Sequence, residues 1–256
     1  MWPYPRILAH RGGGTLAPEN TVAGLRRGMD AGFRAIEFDV MLARDGVPVV
    51  LHDPKLGRTV AGTGSVADID ALDLAARDAG SWFGPEYEGE PVPLFVEFAQ
   101  YCKAHGVWMN IEIKPVPGHD EATGTVVARL AAALFAAEIG AGRMAQVPLL
   151  SSFSEAALQA ARDAAPAVPR AWLTSSIPPD WERRARALDA VAIHTDHKRL
   201  TAAAAAQVKA AGFGLFCYTV NLPARARELF GWGVDGLCTD RIDLIQIGRA
   251  SCRERV

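Results

Sequence analysis

Between residues 6 and 239 short apolar runs alternate with longer runs of helical period, and the alternation passes through eight strand-like runs. Those runs fall at 6–10, 35–42, 108–113, 147–151, 170–173, 190–194, 214–220 and 236–239. Helical periodicity lies between them at 21–31, 94–105, 121–137, 154–165, 181–188, 201–211 and 223–232. Asn20 is placed to cap the first helix, and Gly32 and Gly106 stand where helices end. Strict alternation favours a parallel sheet covered by helices. Eight units favour a closed ring over an open, doubly wound sheet. The expected fold is therefore α/β, a TIM-type (β/α)8 barrel.

One stretch interrupts the rhythm. An extra apolar run at 47–51 lies outside the eight, and residues 53–93 show no helix–strand unit. Gly57, Gly62, Gly64, Gly80, Gly84 and Gly89 punctuate that stretch, while Trp82, Phe83 and Tyr87 give it aromatic mass. A long irregular segment leaving the strand tips reads as a lid or substrate-facing insertion. We expect one barrel over 1–246, with a small inserted subdomain at about 53–93, after the second strand region. Residues 247–256 resemble a translated sequencing adapter, lack apolar periodicity, and are set aside from fold reasoning.

Composition narrows the class of partner. Half of the 256 residues are hydrophobic, enough for a large core without disulfides. A formal net charge of −2 argues against a nucleic-acid or anionic-membrane binder. No apolar run approaches the roughly 20 residues of a membrane span, and residues 1–6 lack the apolar stretch of a secretory signal. Cys102, Cys217, Cys238 and Cys252 have neither metal-type nor redox-type spacing. The expectation is a reduced, cytoplasmic protein with a small-molecule substrate, no nucleic acid and no stable membrane insertion. Homo-oligomerisation stays open.

The chemistry is carried by residues at the ends of the strand-like runs. Glu37 and Asp39 lie two apart, so both side chains take one face while Ile36, Phe38 and Val40 take the other. Two carboxylates facing a barrel interior are costly unless positive charge lies between them. A salt bridge to Arg or Lys is one answer. Asn110, Glu112 and Lys114 repeat the alternation in the next run, and a third carboxylate makes a hard divalent cation the better fit. One ion is expected, Mg²⁺ ahead of Ca²⁺ or Mn²⁺, and the absence of a Cys or His cluster argues against structural zinc.

His10 and His52 each close an apolar run at the mouth end that barrel enzymes use. A lone histidine there is more often structural. Two beside carboxylates read as an acid/base pair, because cleaving a phosphodiester needs a base for the attacking hydroxyl and an acid for the leaving alkoxide. Imidazole, titrating at about pH 6.5, supplies both states near neutrality. Arg11 and Lys114 are placed to neutralise phosphoryl oxygens, with balancing the carboxylates as their alternative role. Gly12, Gly13 and Gly14 show neither Walker nor dinucleotide spacing, so they support only backbone access near the mouth. Asp53 reads as a loop orienter, and His194 and His197 as structural or peripheral.

Taken together these residues resemble the glycerophosphodiester phosphodiesterase family, and its bacterial cytosolic members in particular. The matching stretches are Ala9 to Gly12 with Pro18 to Thr21, Ile36 to Val40, Leu51 to Asp53 with Arg58 and Thr59, Ala79 to Trp82, and Asn110 to Pro115. Tyr218 to Asn221, Gly233 to Gly236, and Thr239 with Asp240 complete the set. The resemblance implies a TIM-type barrel that hydrolyses deacylated phospholipids to sn-glycerol 3-phosphate and a head-group alcohol. It implies His10 and His52 as the acid/base pair, Glu37, Asp39 and Glu112 as metal ligands, and Arg11 and Lys114 as phosphate contacts. Family members often carry Trp where Tyr218 stands, so Tyr218 is expected to alter the substrate pocket and leave the chemistry intact. Two rivals remain: a phospholipase D-like or lysophospholipid-cleaving relative, which needs an apolar groove for acyl chains, and a phosphate- or polyol-binding barrel that has lost activity.

Overall fold

The computed structural model describes residues 2–245, and the adapter-like stretch 247–256 lies outside them. Among the described residues there are nine strands: β1 (Ile7–His10), β2 (Ala35–Leu42), β3 (Pro48–Val50), β4 (Trp108–Ile113), β5 (Leu149–Ser152), β6 (Arg170–Thr174), β7 (Ala192–Asp196), β8 (Gly214–Tyr218) and β9 (Gly236–Thr239). Eight of them form a ring of parallel pairs, β1-β9-β8-β7-β6-β5-β4-β2, closed by the β1–β2 pairing. The fold is the expected (β/α)8 barrel. The run at 47–51 gives β3, which pairs antiparallel with β2 and stands outside the ring.

The helices are α1 (Val22–Asp30), α2 (Ala71–Ala75), α3 (Phe95–Ala104), α4 (Asp120–Leu134), α5 (Ala136–Gly140), α6 (Glu155–Ala164), α7 (Trp181–Ala187), α8 (Ala202–Ala210) and α9 (Pro223–Gly231). Two expectations need correction. The helical run 121–137 breaks at Phe135, whose backbone (φ −111°, ψ 20°) leaves the helical region while its ring is buried beneath Lys103. The cap of α1 is Thr21, whose extended backbone lets its hydroxyl accept from Gly24 N at 2.9 Å. Asn20 lies one residue too early, in the left-handed region at φ 58°, and serves the site below.

Alternation along the strands divides the core in two. Outward residues such as Phe38 meet the helices, with its ring 4.9 Å from that of Phe98 on α3. Inward residues at the amino end of the ring, among them Leu8, Ala35, Trp108, Leu149 and Phe216, form a separate apolar plug. Tyr4 packs 4.9 Å from Trp108, and Trp2 stacks on Phe216 at 6.2 Å. Gly214 is needed there, because a Cβ would lie 2.7 Å from the Trp2 ring. Toward the other end the inward positions turn polar: His10, Glu37, Asp39, Asn110, Glu112, Ser151 and His194.

Residues 53–93 add no strand to the ring. They hold α2, two short 3-10 turns and the isolated bridges Lys55–Ser65 and Asp78–Pro91. A second apolar cluster, including Met41, Leu51, Val66, Leu74 and Val92, seats them on the β2–β3 hairpin. Their far end is pinned by Glu90, which accepts from Ala23 N at the start of α1 at 2.8 Å.

Candidate active site

Parallel register assembles the mouth. His10 lies opposite Glu37, Glu37 opposite Asn110, and Asp39 opposite Glu112. Residues on three strands thereby become immediate neighbours, and the ligand atoms of Glu37, Asp39 and Glu112 lie within 4.8 Å of one another. A cavity of about 170 Å³ opens above them. His10, Arg11, Glu37, His52, Glu112, Lys114 and Tyr218, all named from sequence, line it. Asp39 instead reaches the cluster from beneath, 1% exposed, with Asn20 donating to its Oδ2 at 2.9 Å and accepting from its backbone N–H at 3.3 Å. The side chain expected to cap a helix thus fixes a carboxylate.

The charges do not balance. Lys114 Nζ lies 3.2 Å from Glu112 and 3.4 Å from Asp39, and Arg11 Nε lies 3.5 Å from Asp39. Arg11 is shared, because its Nη1 donates to Glu19 at 2.8 Å. Burial opposes ionisation of Asp39, but Lys114, Arg11 and His52 outweigh it and hold that carboxyl below its usual range. Its neighbours go the other way. Burial, with Asp39 adding repulsion, pushes Glu112 up to about 7. Burial and both other carboxylates push Glu37 well above the usual range. Glu37 Oε1 is buried with no hydrogen-bond partner among the described residues. Three hard oxygen donors around an orphaned acceptor suit a divalent cation, which would supply the missing charge.

Each mouth histidine has a carboxylate on Nδ1. Asp240 Oδ1 lies 2.5 Å from His10, and Asp53 Oδ1 lies 2.6 Å from His52. That leaves each Nε2 as the free ring nitrogen, and His10 Nε2 stands 3.7 Å from Glu37. Asn221 steadies Asp240, donating to Oδ2 at 3.0 Å and accepting from its backbone N–H at 2.8 Å. Gly14 permits this closure, since a Cβ there would lie 2.2 Å from the Asp240 carbonyl oxygen. The glycine run therefore serves chain packing beside His10. Burial lowers the His52 pKa, with Arg11 and Lys114 adding to the effect against the pull of Asp39 and Asp53.

Sequence reasoning left Asp240 and Asn221 without a role and read His194 as structural or peripheral. Asp240 is 230 residues from His10 in the chain, so nothing local signals the pair. Asn221 likewise acts only across the loop that follows β8. His194 lines the cavity and is buried, its Nε2 unpartnered among the described residues and its pKa pushed down to about 3 by burial. Tyr218 donates to Thr174 O at 3.1 Å and meets Phe153 edge-on at 5.8 Å, giving the cavity an aromatic wall. His197 is outside the cavity, beside Arg225.

Fold and mouth together define a (β/α)8-barrel hydrolase built for a phosphodiester. The profile of the glycerophosphoryl diester phosphodiesterase family matches residues 10–244, and the chain belongs to that family. Bacillus subtilis YhdW, a glycerophosphodiester phosphodiesterase by name, is 31% identical, covering 93% of this chain and 96% of that one. The glycerophosphodiester phosphodiesterase of Caldanaerobacter subterraneus is 29% identical over 91% and 93% of the two chains. An Oleispira antarctica phosphodiesterase, solved with the product sn-glycerol-3-phosphate, superposes with a TM-score of 0.82 at 33% identity, covering 92% of this chain and 93% of that one. The protein is an enzyme of this class, acting on glycerophosphodiesters. No helix among the described residues is long and apolar enough to cross a membrane.

Proposed function

We propose that the enzyme hydrolyses deacylated phospholipids to sn-glycerol 3-phosphate and an alcohol, with a divalent ion held by Glu37, Asp39 and Glu112. The carrying observation is the convergence of these three carboxylates beneath a cavity walled by two histidines and two cations. The product seen in the Oleispira enzyme supports the same substrate class. When bound, the ion would act as a Lewis acid toward a phosphoryl oxygen. Arg11 and Lys114 contact the remaining phosphoryl oxygens and neutralise their charge.

His10 and His52 divide the proton transfers. Asp240 and Asp53 hold the two Nδ1 atoms, so exchange with substrate takes place at Nε2. One ring takes the proton of the attacking hydroxyl, and the other returns one to the leaving alkoxide. The glycerol C2 hydroxyl is the nearest nucleophile in such a substrate, and its attack gives a cyclic phosphate that water then opens. Tyr218 and Phe153 wall the pocket beside the substrate. A cytoplasmic location fits the free, buried thiols of Cys102, Cys217 and Cys238.

The test is release of glycerol 3-phosphate from a panel of glycerophosphodiesters, with lysophosphatidylcholine as the acylated control. The expected result is turnover of the panel, loss on chelation, and recovery on adding Mg²⁺, Ca²⁺ or Mn²⁺ back singly. Undiminished activity after chelation would remove the metal from the scheme. Preference for the lysolipid would move the enzyme to the acylated class. Full turnover of a 2-deoxyglycerol substrate would exclude the cyclic route.

A further inference from the structure

The charged groups just outside the cavity form one continuous chain. Arg58 Nε donates to Asp53 Oδ2 at 2.6 Å, and its terminal nitrogens donate to both Glu19 oxygens at 2.8 and 2.7 Å. Asp53 continues to His52 Nδ1 at 2.6 Å, and Glu19 continues to Arg11 Nη1 at 2.8 Å. Arg58 itself does not line the cavity.

We infer that Arg58 is a positioning residue: through Asp53 it fixes the His52 ring, and through Glu19 it fixes the Arg11 guanidinium, holding both in register across the mouth. The inference rests on His52 and Arg11 acting as proposed above.

Both of those side chains need an external hold. His52 follows β3, the strand outside the closed ring, so the barrel register does not place it. Arg11 sits just past the end of β1 with a left-handed backbone, φ 51°. A guanidinium answers this geometry because its rigid planar fork holds two carboxylates in a fixed mutual orientation, whereas an ammonium on a flexible stem attracts both without orienting either. The clamp joins the 53–93 segment to the loop after β1, and Glu90 on Ala23 N ties the same segment to α1, which follows that loop. The Arg58 side chain is 44% exposed, against 13% for Glu19 and 26% for Asp53. Ion pairs that exposed add little to global stability, so the function of this one is expected to show in kinetics.

The test is steady-state kinetics on glycerophosphoethanolamine, inhibition by sn-glycerol 3-phosphate, and the thermal midpoint. The variants are Arg58→Met, Arg58→Lys, Asp53→Asn, Glu19→Gln, the Arg58→Met/Asp53→Asn double, and His52→Ala. Arg58→Met is expected to lower kcat about 10- to 100-fold and to weaken inhibition about tenfold, because small misplacements of reacting groups cost that much. Its thermal midpoint should stay within about 2 °C of wild type, as for an exposed pair. Asp53→Asn should reproduce only the kcat loss and Glu19→Gln mainly the weaker inhibition. Adding Asp53→Asn to Arg58→Met should cost less than about threefold more, since both cut the same connection. Arg58→Lys, keeping the charge without the fork, should stay within about threefold of Arg58→Met.

Arg58→Met within about twofold of wild type in kcat and inhibition would overturn the clamp. So would losses that multiply fully in the double variant, or a midpoint drop that accounts for the lost activity. A dead His52→Ala beside an active Arg58→Met overturns the clamp alone. A fully active His52→Ala overturns the acid/base reading and the clamp with it.

Discussion

The two ends of the barrel use the same strands and opposite physics. At the amino end, Trp2, Tyr4, Trp108 and Phe216 close the interior with stacked rings. At the same end of the ring Arg170, at the start of β6, is buried yet fully engaged. It donates to Val168 O at 2.7 Å and Asp189 Oδ2 at 2.8 Å, with longer bonds to the carbonyls of Pro166, Leu188 and Asp189. At the mouth, buried carboxylates repel one another, Glu37 Oε1 and Arg11 Nε have no hydrogen-bond partner among the described residues, and Arg11 and Asn20 adopt left-handed backbones. Polar groups at the plug end are satisfied within the chain. Those at the mouth are arranged for something the chain does not contain, and buried polar atoms left unpaired in this way mark a site where function overrides stability.

The comparison breaks if mouth residues prove structural or plug residues prove kinetic. The largest effect is expected from His10→Ala and His52→Ala, each lowering kcat by about 10²- to 10⁴-fold with little change in thermal midpoint. Wild-type turnover by either variant would take that histidine out of the reaction. Next comes Arg170→Ala, which strands several buried carbonyls and should destabilise the fold by about 3 kcal/mol. Urea titration measures it, and kcat per folded molecule should be unchanged. A kinetic defect without destabilisation would erase the distinction between the ends.

A smaller effect sharpens the boundary between them. His194 lies between plug and mouth, its ring 4.6 Å from that of Phe216. Burial holds its folded pKa at about 3, well below the unfolded value of about 6.5. As pH falls below about 6.5 the unfolded chain gains a proton that the folded chain refuses, so stability declines from there toward pH 3. Between pH 6.5 and 5 the loss assigned to this residue is about 2 kcal/mol at most. Urea midpoints of wild type and His194→Phe across that window should diverge, with the variant the flatter. Parallel curves would mean that His194 protonates freely in the folded state.

Legibility followed the same divide. The barrel was readable because strand and helix periods differ and repeat, and Glu37, Asp39 and Glu112 because strand alternation puts them on one face. What alternation cannot supply is register. Only pairing of β1, β2 and β4 shows that His10 touches Glu37 and that Asp39 faces Glu112. Loops were less legible still. Asn20 has the chemistry of a helix cap, and only its left-handed backbone diverts it to Asp39. Asp240 and Asn221 complete the His10 side of the mouth from the far end of the chain, where local sequence carries no sign of the contact.

The central claim is that the mouth is electrostatically incomplete without a cation, and calorimetric titration of Mg²⁺, Ca²⁺ and Mn²⁺ into chelator-treated protein tests it most directly. The account predicts one bound ion per chain and a higher thermal midpoint. At an ion concentration about 100 times Kd, the stabilisation should reach about 2.7 kcal/mol. Both responses should vanish in Glu37→Gln/Glu112→Gln. No binding to the wild-type chain, or equal binding to that variant, would contradict it.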